Sequence, residues 1–167
     1  YKLESRYKME ILKNNIAWLC VFVASLFLYR VVPHIHNFTP ILASIVCAKY
    51  IKSNHVFIGT LIAMLVSDFI LGLHGTMLFT YTAFVIIYYM TNNKNNIFVE
   101  ALFASVVFYV LSNLGVWLSG YYPYTIEGLL TCYTMALPFF QNTLLGTLFF
   151  TFLYLGISKT PYLQFNH

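Results

Sequence analysis

Charge is the scarcest property of this sequence. Only 8% of its 167 residues are Asp, Glu, Lys or Arg, against about 25% in soluble globular domains. Its basic residues are scattered along the chain rather than clustered. They form no phosphate-tracking patch, which excludes nucleic acid as a partner. Cysteine is nearly as rare. Cys20, Cys47 and Cys132 each lie alone in an apolar run, a pattern that excludes a disulfide framework and a thiolate metal centre. They read as small apolar packing residues. Catalytic signatures are missing as well. There is no Gly-x-Ser-x-Gly elbow, no His-Glu-x-x-His and no phosphate loop. Ser67, Asp68 and His74 would be the nearest thing to a catalytic set, but neighbours on a helix point about 100° apart. No enzyme and no cofactor are expected. Long polar linkers and solenoid repeats are absent too, so a single domain over 1–167 is expected.

Apolar side chains are abundant. Hydrophobic residues make up 60% of the chain and aromatics 19%, and mean hydropathy is +0.74. The composition predicts an integral membrane protein. A bilayer core of about 30 Å takes roughly 20 helical residues to cross. Six apolar segments can be marked, at about 16–32, 38–52, 56–73, 76–90, 97–119 and 138–157. The first follows basic residues, as in a signal peptide. No small-x-small cleavage site follows it, so it reads as a retained span. The polar run at 91–96 is a loop. The apolar stretch from 126 to 157 is too long for one straight span, and Pro138 divides it. Residues 126–137 then read as a short helix at the outer face, or partly re-entrant.

The segment at 38–52 is short, and the charges decide whether it crosses. With six crossings, Lys2, Arg6, Lys8, Lys13, Lys49, Lys52, Lys94 and Lys159 share one side, and Arg30 alone stands opposite. Without that crossing the basic residues divide almost evenly. The positive-inside rule prefers the first arrangement. The expected fold is an all-α polytopic bundle of six transmembrane helices plus a short outer-face helix. Both termini are expected to be cytoplasmic, in a bacterial inner membrane.

This topology gathers the polar residues of the spans at the outer side. Arg30, His34, His36, Asn37, Asp68, His74, Asn113, Trp117, Tyr121, Tyr122, Tyr124, Thr125, Glu127 and Asn142 all fall there. Asp68 stands out, with no other charged residue between Lys52 and Lys94. A carboxylate at membrane depth costs about 2.5–3.5 kcal/mol on insertion scales, so it faces the bundle interior and takes a partner. Arg30, His34, His36 and His74 are the candidate partners. Two readings stay open: an ion pair that only fixes packing, and a ligand site. Imidazole and carboxylate side chains suit Zn, Ni or Co, but these come from two loops with no metal signature, and no metal is expected.

The segment 112–124 mixes aromatics with Asn113. It reads either as an interfacial aromatic belt or as the wall of a pocket for a flat organic molecule. Thr125 is a candidate N-cap, with Glu127 in the following first turn. Near Pro138, Asn142 or Thr143 could satisfy a carbonyl freed by the proline. Ser44 with Ala48, and Ala101 with Ser105, are spaced for close helix packing, within the bundle or against a partner.

Asn-Phe-Thr-Pro at 37–40, Ser-Asp with Leu-Gly-x-His at 67–74, and the run from Ser112 to Gly146 resemble an uncharacterised family of small bacterial membrane proteins. The resemblance covers about residues 30–157, and the 112–146 run is its specific part. Members often carry an acidic residue where Thr147 stands here. In size, topology and pocket side the chain is also similar to the S components of energy-coupling-factor transporters. Those are six-helix bundles with an outer-face pocket under a loop, and they carry alanines four apart in the first helix. Here Ala17 and Ala24 are seven apart.

Together these readings lead to one expectation and one alternative. The expectation is a substrate-binding subunit of a membrane transporter, capturing a small organic molecule from the outer face. Its site would comprise Asp68, His74, Asn113, Trp117, Tyr121, Tyr124, Glu127 and Asn142. Arg30, His34, His36 and Asn37 would form a lid or an ion pair. Its partners would be the lipid bilayer and an energising membrane protein. The alternative is an accessory or structural subunit of a larger membrane complex, in which the outer polar cluster is internal glue.

Overall fold

The computed structural model describes residues 19–92 and 95–158. Among them the chain is all-α, with no strand. The helices are α1 (Leu19–Val31), α2 (Ile41–Tyr50), α3 (Asn54–Leu71), α4 (Met77–Met90), α5 (Ile97–Leu118), α6 (Ile126–Met135) and α7 (Leu137–Ser158). Expectations for the tail 1–13, Ala17, Lys94 and Lys159 lie outside the described residues.

Helix boundaries follow local chemistry. Asn96 caps α5, its side chain accepting from the Phe98 amide at 2.9 Å. Gly72 ends α3 with φ of 110°, a backbone region that favours glycine. Pro138 occupies the second position of α7, where a missing amide hydrogen costs nothing. The break therefore falls at Ala136, between two helices, rather than inside one. Neither Asn142 nor Thr143 repairs a proline kink, because no kink exists there.

Three helices, α3, α5 and α7, are long and apolar enough to cross a membrane. The others are shorter. α2 has 10 residues and rises about 15 Å, half of a bilayer core. The outer surface of the bundle is apolar, with Leu78 73% and Phe69 66% exposed. Water penalises such a surface and lipid does not, so the bundle is compatible with a bilayer.

The core is built around α2. Ile41 to Ala48 are all buried, and α2 packs against α3, α4, α5 and α7. Small residues allow this close approach. Ser44, Ala48, Ala101, Ala104 and Ser105 have no exposed surface, so both predicted small-residue pairs are spent within the bundle. Short connections make successive helices from α1 to α6 antiparallel. One end of the bundle carries loops 32–40, 72–76 and 119–125 together with α6. The other carries 51–53 and 91–96. All the polar residues singled out above sit at, or within a few turns of, the first end.

Candidate functional site

Asp68 is 1% exposed, in the last turn of α3. Its Oδ1 lies 2.7 Å from Arg30 Nη1 of α1, and its Oδ2 accepts from the Tyr81 hydroxyl of α4 at 2.8 Å. The same Arg30 nitrogen donates to Ser67 Oγ at 2.6 Å and to the Met64 carbonyl at 3.1 Å. Both carboxylate oxygens are thus occupied, and three helices are tied at one point. No histidine takes part. His34 Nδ1 lies 2.8 Å from the Val32 carbonyl, and His74 Nδ1 lies 2.9 Å from Thr76 Oγ1. Among the described residues no three of His, Cys, Asp or Glu converge as a metal would require.

Loop 32–40 is fastened to its neighbours. The Tyr29 hydroxyl donates to the Phe38 carbonyl at 2.9 Å. Asn142 Nδ2 of α7 donates to the His36 carbonyl at 3.0 Å. Gly146 lies beneath the loop, where an added Cβ would stand 3.0 Å from the Thr39 nitrogen. Asn142 therefore serves as a tie for the loop.

The aromatic segment folds back onto the end of α5. Trp117 Nε1 donates to the Pro123 carbonyl at 2.9 Å, and the Tyr124 hydroxyl donates to the Leu118 carbonyl at 3.1 Å. The two rings meet edge to face at 5.6 Å. Thr125 accepts from the Gly128 amide and caps α6, with Glu127 exposed in the first turn. Tyr121 is 70% exposed. These groups build and terminate a loop, and Trp117, Tyr121, Tyr124, Thr125 and Glu127 do not line the space between α5 and α7.

A partly open cleft, smaller than an almost wholly apolar groove of about 400 Å³ between α1 and α3, lies between α5 and α7. A cavity of about 270 Å³ is lined there by two helical faces. Tyr109, Ser112, Asn113 and Val116 come from α5, Phe139, Phe140 and Thr143 from the start of α7, and Ala136 from the junction of α6 and α7. Phe108 of α5 also lines it. Thr76 and exposed Asn37 close the mouth from two loops. Among the described residues, no Asp, Glu, Lys, Arg or His lines it. Below it, Cys132 donates weakly to the Asn113 carbonyl at 3.5 Å. Burial pushes the Cys132 thiol pKa up.

Of the expected binding residues, the structure brings Asn113 to this cavity, with Asn37 at the rim. Asp68, Trp117, Tyr121, Tyr124, Glu127 and Asn142 are held in contacts or positions elsewhere. His74 touches the cavity only through Thr76. Sequence reasoning missed Ser112, Thr143 and the rings around them. The signal was present, because each face follows the i, i+3, i+4, i+7 spacing of one side of a helix.

A family model described as a family of unknown function (DUF6580) matches residues 10–165. No curated protein and no solved structure matches the chain.

Proposed function

The chain belongs to that family of unknown function, and within it we propose that this protein is the substrate-binding subunit of a membrane transporter. It crosses the membrane six times with both termini in the cytoplasm, like the S components of energy-coupling-factor transporters. It captures a small organic molecule from the outer face and depends on an energising membrane partner. One observation carries this reading: the cavity between α5 and α7, which has polar groups set among aromatic walls in the mixture typical of small-molecule sites. Its place at the Arg30-bearing end of the bundle matches the outer side assigned by the charge distribution.

The Arg30–Asp68–Tyr81 cluster favours the second reading, an accessory subunit of a larger complex. There the space beside the carboxylate is filled by protein groups, as internal glue requires.

Native mass spectrometry of the protein purified in mild detergent separates the two. A stoichiometric small molecule, lost in Thr143→Val, is the result expected for capture. An empty protein found only within a large stable complex would replace capture with the accessory role.

A further inference from the structure

The lining of the α5–α7 cavity carries a hydrogen-bonding polarity, which narrows the ligand class. This inference rests on the capture reading. The Ser112 hydroxyl donates its hydrogen to the Phe108 carbonyl at 2.6 Å. The Thr143 hydroxyl donates to the Phe139 carbonyl at 2.9 Å. Each hydroxyl has a single hydrogen, so only lone pairs remain for a guest. Asn113 Nδ2 donates one hydrogen to the Tyr109 carbonyl at 2.8 Å, which leaves Oδ1 and one N–H. Thr76 is engaged with His74. Ser112, Asn113 and Thr143 therefore offer acceptors against a single remaining donor among them, and the amide donors of Asn37 stand at the exposed rim.

The charge balance is equally one-sided. Among the described residues, no carboxylate, amine, guanidinium or imidazole lines the space. The carboxylate of Asp68 does not reach the space and has both oxygens committed to Arg30 and Tyr81. An anion would meet lone pairs without a counter-charge, and a cation would meet no carboxylate. Burying an unpaired charge is far costlier than burying a paired polar group. Part of the lining is aromatic, from Phe108, Tyr109, Phe139 and Phe140, with Tyr109 and Phe140 packed on each other at 4.8 Å and 47°; such side chains suit contact with a guest ring.

We propose that the cavity takes an uncharged ring compound that donates hydrogen bonds, such as an amide-, amino- or hydroxyl-substituted heteroaromatic. Ser112, Asn113 and Thr143 receive its donors.

Three probes on one ring system test this: indole-3-carboxamide, indole-3-carboxylate and 3-(aminomethyl)indole. They are neutral, anionic and cationic at neutral pH. Titration calorimetry on the full chain in detergent is expected to show the carboxamide binding at least tenfold tighter than either charged analogue. Thr143→Val, nearly isosteric, and Ser112→Ala are each expected to weaken it by about three- to tenfold, with melting temperature unchanged within a few degrees. A charged analogue that binds as tightly as the carboxamide, with binding lost in Thr143→Val, overturns the uncharged class and leaves capture standing. No binding by any of the three overturns the class as drawn. An empty protein in native mass spectrometry then removes the capture reading with it.

Discussion

Arg30 and Asp68 meet at 2.7 Å where α1 and α3 come together at the cavity-bearing end of the bundle. The carboxylate is 2% exposed and the guanidinium 18%. Such a pair contributes little over a well-packed apolar contact, but breaking it leaves a buried charge behind. Tyr81, on Asp68 Oδ2, draws α4 into the same point. The cluster is a tie among three helices.

Asp68→Leu is therefore expected to cost about 3–5 kcal/mol by stranding Arg30. The double variant Arg30→Met with Asp68→Leu should recover most of that loss. Thermal melts in detergent measure both. Equal instability of the single and double variants would show that the pair is not the reason Asp68 matters.

Gly128 packs against the loop before α6. A Cβ there would overlap the Pro123 carbonyl oxygen, which is backbone and cannot turn away. Gly128→Ala should cost about 1–3 kcal/mol and free the Trp117 indole from Pro123. Thr125→Ala removes only the cap and should cost about 1 kcal/mol. A shift in Trp117 fluorescence in the glycine variant alone would distinguish the two effects.

Loop 32–40 has several independent ties, so losing one should not release it. Asn142→Ala is expected to cost about 0.5–1.5 kcal/mol, with slow amide exchange retained at Phe38, whose nitrogen donates to the Ile35 carbonyl. Gly146→Leu should do more, because its side chain would enter space held by the Phe38 and Thr39 backbone. Hydrogen exchange that rises equally in both variants would mean that Asn142 alone holds the loop.

The raised pKa of Cys132 makes a pH prediction. The folded state holds the thiol proton more tightly than the unfolded chain does. The stability it contributes is full below the thiol's ordinary value of 9.0 and is lost as pH rises beyond it. Wild-type melting temperature should fall above pH 9 more steeply than that of Cys132→Ala. Parallel curves would exclude Cys132 as a contributor.

The proposed six crossings would place the α2–α3 and α5–α6 connections on opposite sides of the membrane. In a cysteine-free background, His55→Cys should react with an impermeant maleimide only from the cytoplasmic side. Tyr121→Cys should react only from outside. Labelling of both from one side would remove a crossing between them.

Much of this protein is legible from local sequence. The apolar segments coincide with the helices because hydrophobicity and turn polarity act over a few residues. Thr125 and Glu127 mark the start of α6 because capping needs only the first turn. Pro138 marks α7 because the missing amide hydrogen is tolerated only at a helix start. Tertiary structure alone chose the partners of Asp68, taking Arg30 and Tyr81 over three histidines. It also opened the cavity at Ser112, Asn113 and Thr143 rather than beside the carboxylate. Those choices depend on how helices distant in sequence are rotated against one another. A hydroxyl bonded to its own helix, as at Ser112 and Thr143, reveals nothing of that rotation in the sequence.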